Sequence, residues 1–388
     1  MKIVFLLGNP DIGGGTYVIY QHALKCLDEN NEVTIVTDEV VTPKRIAWHK
    51  GAERLTFKKY KDVENEEFDV AIATWWRTIY ELPKIKAKSY IYFVQSIESK
   101  FYEEQELKWL VEATYTLPLS IITEATWIKK YLETNYALDV KLVRNGIRKD
   151  IYLKQGEVYP KPKENFRVLI EGPVDVPFKN VPSTVNLVKK SKADEIWLLT
   201  SSDIKEYPGV DKVFSRMPIS ECAKIYRSCD VIVKLSYVEG MFGPPLEMFH
   251  CGGTAITYDV TGHDEYLKSE YNSLIVATDD EDGVIKSINR LYDNRQLLEK
   301  LKANAQKTAD KWPDWDDSSS EFYEAVKKYS KIKINSKWLN ANIIFHGKTY
   351  QRYQEMNIST KTKIGNFLRN KLPFLYKIYR LLRYGKVR

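Results

Sequence analysis

The chain of 388 residues alternates short unbroken apolar runs with stretches whose apolar positions recur every three or four residues. Lys2 to Gly8 predicts a buried strand, Asn9-Pro-Asp-Ile-Gly-Gly-Gly15 a turn, Thr16 to Leu27 a helix and Val33 to Thr37 a second strand, together a βαβ unit. Further strands are predicted at Val70 to Thr74, Tyr90 to Val94 and Ser120 to Thr123, with helices near Glu103 to Ala113 and Ala125 to Glu133. Strands that are apolar throughout, separated by helices, belong to a parallel sheet covered on both faces. Polar, proline-bearing sequence from Gln155 to Asn165 interrupts the series and marks a domain boundary.

A second series follows. Strands are predicted at Phe166 to Glu171, Glu195 to Thr200, Asp230 to Ser236, Thr254 to Tyr258 and Ser273 to Ala277. Helices are predicted at Val181 to Lys190, Ser220 to Ser228, around Glu247, at Asp282 to Leu291 and at Arg295 to Asp310. The expected class is α/β, with Rossmann-like parallel-sheet domains over residues 1–155 and 165–315 facing across a cleft at the carboxyl ends of their strands, where such sheets bind ligands. Residues 331–359 receive no placement.

Charge changes the picture at one end only. The segment Lys361 to Arg388 holds nine of the 59 basic residues and none of the 52 acidic ones, so the net charge of +7 sits on a tail and the body is near neutral. A nucleic-acid footprint over a domain face is thereby excluded, and no nucleic-acid partner is expected. Within residues 360–388, Lys377, Arg380 and Arg383 recur at helical spacing beside Leu375, Ile378 and Leu382, a basic amphipathic helix suited to an anionic membrane surface. The bland alternative is a helix packed on the body or on another subunit. No apolar run is long enough to span a bilayer or to form a signal-peptide core, so a cytoplasmic protein on the inner membrane face is expected. Cys26, Cys222, Cys229 and Cys251 lack metal-ligand spacing and read as reduced, mostly buried thiols.

Candidate chemistry concentrates in Tyr237-Val-Glu-Gly-Met-Phe-Gly-Pro-Pro-Leu-Glu247. The strand Asp230 to Ser236 leads into Glu239. Gly240 and Gly243 allow close approach of backbone to a ligand, and Pro244-Pro245 preset a first helical turn expected to contain Glu247. A helix start favours an anion such as a diphosphate, and a carboxylate accepts hydrogen bonds from sugar hydroxyls. The bland reading is a strand, a loop and a helix start with a dipole-friendly Glu247.

The string from Cys229-Asp-Val-Ile-Val-Lys-Leu-Ser236 through Leu246-Glu-Met-Phe-His-Cys-Gly-Gly-Thr-Ala-Ile-Thr-Tyr-Asp259 to Gly262-His-Asp-Glu-Tyr266 resembles the Glu-x7-Glu region of retaining glycosyltransferases of family 4, which have the GT-B fold. The resemblance covers about Met1 to Ser330. It implies a helix over residues 316–332 that crosses back to the first domain. Tyr92-Phe-Val-Gln-Ser-Ile-Glu98 and Asn145-Gly-Ile147 resemble a subgroup that includes bacterial rhamnosyltransferases.

By that resemblance Lys179 contacts the donor diphosphate, Glu247 bonds the nucleotide ribose and Glu239 faces the donor hexose, with Gly240, Met241, Phe242 and Gly243 along the donor. The expected activity is transfer from a nucleotide-diphosphate sugar to a glycan, in polysaccharide biosynthesis, with a lipid-linked acceptor following from the tail. The family arginine after the glycine is replaced by Pro173, which leaves Arg216 or backbone amides near Met241 to Gly243 to supply the second phosphate contact. Gly13, Gly14 and Gly15 form a backbone wall for phosphate or acceptor opposite. No cofactor and no metal are predicted, since the five histidines form no ligand cluster and Asp314-Trp-Asp316 reads as a surface turn. His22, His250 and His263 are assigned no catalytic role. Rival readings are a GT-B nucleotide-sugar epimerase or hydrolase, and a silent nucleotide-sugar-binding subunit of a glycan-assembly complex.

Overall fold

The computed structural model describes residues 1–357 and Leu375. Lys377, Arg380 and Arg383 of the expected basic tail lie outside the described residues. The first sheet contains β1 (Lys2–Leu6), β2 (Glu32–Val36), β3 (Thr56–Lys58), β4 (Glu67–Ala73), β5 (Lys86–Val94), β6 (Ser120–Thr123) and β7 (Val140–Leu142), all parallel, in the order β3-β2-β1-β4-β5-β6-β7. The second contains β8 (Arg167–Glu171), β9 (Glu195–Thr200), β10 (Lys212–Ser215), β11 (Val231–Lys234), β12 (Thr254–Tyr258) and β13 (Ser273–Val276), also parallel, in the order β10-β9-β8-β11-β12-β13.

Each order reverses once, between β1 and β4 and between β8 and β11. A loop leaving a strand at such a reversal point opens a crevice, since its neighbours lead to opposite faces of the sheet. The Gly13 loop follows β1, the Lys179 turn follows β8 and the Glu239 loop follows β11. Topology alone therefore brings three of the predicted segments to the cleft. The strands β3, β7 and β10, not foreseen from sequence, are edge strands of three, three and four residues. These three are partly exposed, so their sequences carry no apolar run, unlike the fourth edge strand β13.

Beyond β13, the helix Trp315–Tyr329 returns to the first domain, where Phe322, Val326 and Tyr329 join the core beneath the helix Gly14–Asp28. Asp314 caps its start by accepting from Asp317 N at 2.9 Å, so Asp314-Trp-Asp316 is a helix start, a placement chosen by chain direction and by the short side-chain acceptor. His22 has a packing role here: its ring stacks on Phe322 at 4.0 Å and Nδ1 lies 3.1 Å from Ser319 Oγ. The helix Ser336–Asn357 accounts for most of the segment left unplaced. It lies on the first domain with Leu339 and Ile343 buried and Tyr350 stacked on Tyr80 at 5.4 Å.

Cys26, Cys229 and Cys251 are buried, Cys222 is partly so, and none is in a disulfide. Among the described residues no helix is long and apolar enough to cross a membrane, and no group of three or more His, Cys, Asp or Glu side chains could hold a metal ion.

Candidate active site

The carboxyl ends of β8 and β11 carry four charges in one cluster. Lys179 Nζ lies 2.7 Å from Glu239 Oε2, Lys234 Nζ lies 2.6 Å from Glu171 Oε2, and Lys234 Nζ lies 3.6 Å from Glu239 Oε1. Lys234 also donates to the Glu171 carbonyl at 3.2 Å. The Glu239 side chain is 7% exposed and that of Lys234 2%. Burial opposes ionisation of Glu239, yet Lys179 and Lys234 outweigh it and hold the carboxyl below its ordinary pKa. Thr261 Oγ1 fixes the Glu239 backbone from both sides, accepting from its N–H at 3.1 Å and donating to its carbonyl at 2.9 Å. Glu239 Oε1 has no hydrogen-bond partner although it is buried. Such an acceptor is suited to a ligand hydroxyl.

Glu247 sits differently. The helix runs Gly243–His250, so Glu247 is its fifth residue and lies on the second turn, not the first as the proline pair led one to expect. Gly243 takes the first helical position and shifts Glu247 by one residue, just past the first turn. Burial raises the Glu247 pKa to about 7; the hydroxyls of Tyr226 and Tyr152 and the charge of Lys234 partly offset this, while Glu171 adds to it.

The glycines divide by function. A Cβ on Gly240 would collide with the Gln95 carbonyl of the first domain, and the Gly240 carbonyl accepts from Trp127 Nε1 at 2.9 Å. Gly240 thus permits approach of domain to domain, which sequence could not separate from approach to a ligand. Gly243, Gly13 and Gly14 have open space where a Cβ would be, apart from the Asp11 carbonyl 3.9 Å from that point on Gly13, and Gly15 is pressed against the Gln95 side chain. The helix start at Gly243 has few donors to offer. Met241 N–H donates to Glu124 Oε1 at 3.1 Å, Gly243 N–H to the Met241 carbonyl at 2.9 Å, and the two prolines have none. The amides expected to replace the missing arginine are therefore largely committed, and Phe242, fully buried, packs in the core of the second domain.

Arg216 adopts a left-handed φ of +54°. Its half-exposed side chain donates to the Ser201 carbonyl at 3.1 Å and pairs with Asp203 at 3.3 Å. Asp11 of the first domain is held below its ordinary pKa chiefly by Arg45, bonded to it at 2.6 Å, and the charge of Arg216 adds a smaller contribution from the second domain. Pro173 follows Gly172, whose φ is +143°. His250 is buried with its pKa lowered to about 4, and His263 Nδ1 lies 2.6 Å from the Val260 carbonyl in a 3-10 turn.

Two further contacts define the walls. Phe101 of the first domain stacks on Phe178 of the second at 4.8 Å, one residue from Lys179. Beside this stack a cavity of about 510 Å³ is lined by Ser99, Lys100, Tyr102 and Lys108 from one domain and by Tyr237 and Thr261 from the other. Glu124, bridging the domains, accepts also from Asn145 Nδ2 at 2.9 Å, and burial still lifts its pKa to about 7.

Glu171, Lys234 and Glu124 escaped the sequence reading. The available signal was a charge at the end of an apolar run, Lys234 after Val-Ile-Val and Glu171 after Val-Leu-Ile, since a charge on a buried strand requires a partner.

Two parallel sheets facing across a cleft, joined by a returning helix, define the GT-B fold of glycosyltransferases. Residues 189–308 match the family described as "Glycosyl transferases group 1". Among solved structures the chain is similar to sucrose-phosphate synthase from Thermosynechococcus elongatus, at 15% identity and a TM-score of 0.66 over 84% of this chain and 99% of that one. It is similar also to Anabaena HepE in complex with UDP-glucose, at 13% identity and a TM-score of 0.68 over 84% of this chain and 100% of that one. A third is WaaG, a glycosyltransferase involved in lipopolysaccharide biosynthesis, at 12% identity and a TM-score of 0.64 over 83% of this chain and 98% of that one. No curated protein matches the sequence.

Proposed function

We propose that the protein is a retaining, metal-independent glycosyltransferase of the family 4 type, moving a sugar from a nucleotide diphosphate to a glycan acceptor. The observation that carries this reading is the Lys179–Glu239 pair, 2.7 Å apart at a strand-order reversal in the cleft. Lys179 supplies positive charge where the diphosphate leaves, the electrostatic contribution that is often the largest in such chemistry. Glu239, ionised and rigidly held, orients the donor hexose through hydroxyls. Glu247 takes the ribose. The acceptor hydroxyl attacks from the side of the first domain, and the leaving phosphate accepts its proton, so the bond from anomeric carbon to phosphate oxygen breaks as the new glycosidic bond forms on the same face.

The cavity between Tyr102 and Tyr237 gives the acceptor its entrance. A membrane-borne acceptor fits the path of the chain: the helix Ser336–Asn357 ends on the first domain and exposes Trp338, Ile344 and Phe345, the last 68% exposed. Aromatic and aliphatic side chains of this kind enter a bilayer interface. Removal of the basic residues after Ser359 is expected to weaken binding to anionic liposomes at low salt by at least about tenfold, leaving only what Trp338, Ile344 and Phe345 contribute, while sparing activity on a short soluble acceptor. Pro173 in the place of the expected arginine sustains one rival, a nucleotide-sugar-binding subunit without turnover.

The test is calorimetry of the purified protein against uridine and thymidine diphosphate sugars, with and without chelator. Chelator-insensitive binding of one sugar nucleotide is expected, followed by transfer. Binding without transfer to any acceptor would favour the silent subunit, and no binding would overturn both.

A further inference from the structure

We propose that Lys234 is a fixed counter-ion for Glu239, and that its presence lets Lys179 leave this carboxylate for the donor diphosphate. The inference rests on the donor-site reading above.

The two lysines differ in freedom. Lys179 ends a three-residue 3-10 turn, Pro177–Lys179, and its side chain is 23% exposed. Lys234 ends the central strand β11, is 2% exposed, and is anchored to both the side chain and the carbonyl of Glu171. Its Nζ lies 3.8 Å from where a Cβ would stand on Gly172, so the ammonium rests directly under the turn that leads to Lys179. One lysine can swing and the other cannot.

The four charges Glu171, Lys179, Lys234 and Glu239 cancel one another. A diphosphate entering beside them attracts the mobile ammonium. Were Glu239 paired with Lys179 alone, that movement would strand a buried carboxylate, and breaking a buried ion pair from one side is strongly unfavourable. Here Glu239 Oε1 lies 3.6 Å from Lys234 Nζ and has no hydrogen-bond partner of its own. A small tightening of that contact replaces the lost one. The device gives the site a second cation without a second exposed one, at a turn where Pro173 contributes no donor and the nearby amides of Met241 and Gly243 are committed.

The consequence is a coupling between the two lysines, which a purely structural role for Lys234 would not produce. Donor affinity is measured by calorimetry, with whichever of UDP-glucose and dTDP-glucose binds the unaltered protein, for Lys179→Met, Lys234→Met and the double variant. Lys234→Met is expected to weaken donor binding by about tenfold when Lys179 is present and by less than about twofold when it is absent, a non-additive cycle. Should Lys234→Met fail to fold, the same cycle is run in a Glu171→Gln background, which removes the anchor charge as well. Equal effects of Lys234→Met in both backgrounds, or none in either, would overturn the proposal alone while Glu247→Ala still loses the donor. Absence of donor binding by the unaltered protein would overturn the donor-site reading and this proposal together.

Discussion

The pockets around Glu239 and Glu247 lie on the same loop and helix yet impose opposite charge states on the same side chain. Around Glu239, two lysines overcome burial and the carboxyl stays ionised. Around Glu247, burial wins over two tyrosine hydroxyls and the carboxyl titrates near pH 7. The difference comes from the strand ends: β8 and β11 deliver cations to one pocket, whereas Tyr152 and Tyr226 wall the other. Two glutamates eight positions apart are therefore held in different charge states, and on the proposed reading the charged one orients the reacting sugar while the adjustable one lies at the nucleoside end.

Removing the charged member should have the largest effect. Glu239→Ala is expected to lower kcat by about 100-fold through misplacement of the donor hexose, with donor affinity changed little; steady-state kinetics and calorimetry check the split. Lys179→Met should weaken donor binding by about ten- to a hundredfold, the range for losing one hydrogen bond to a charged group.

The contrast sharpens with pH. The folded protein keeps on Glu247 a proton that the unfolded chain releases near 4.5, so this residue costs nothing at lower pH and lowers stability progressively as pH rises to about 7. Glu247→Gln should accordingly raise Tm relative to the unaltered protein at pH 8 and not at pH 4.5, as read by calorimetric melting. The smallest effect is expected away from both pockets: Asp314→Ala should cost about 1 kcal/mol of stability by loss of a helix cap and leave kinetics unchanged, as measured by urea unfolding and initial rates.

How far these features could be read in the sequence follows from their physics. The central strands were legible because burial on both faces demands unbroken apolar runs, as in Ile3-Val-Phe-Leu6 and Val231-Ile-Val233. Glu239 and Glu247 stood out as a spaced pair and Lys179 by resemblance, but the charge states of the two carboxylates did not, because these depend on Lys234 and on two tyrosines from elsewhere in the chain. Gly240 read as a ligand glycine and is also where the domains touch, since both uses need the same missing Cβ. The helix Ser336–Asn357 was unreadable because only Leu339, Ile343 and a few neighbours pack, while Trp338 and Phe345 remain exposed and blur its apolar face.

The most direct measurement is calorimetric titration of a sugar nucleotide into the unaltered protein, Glu239→Ala and Glu247→Ala, which needs no acceptor. Donor binding retained in Glu239→Ala and lost in Glu247→Ala is the predicted result. Binding unaffected in Glu247→Ala, or lost equally in both variants, would contradict the division of labour between the two carboxylates.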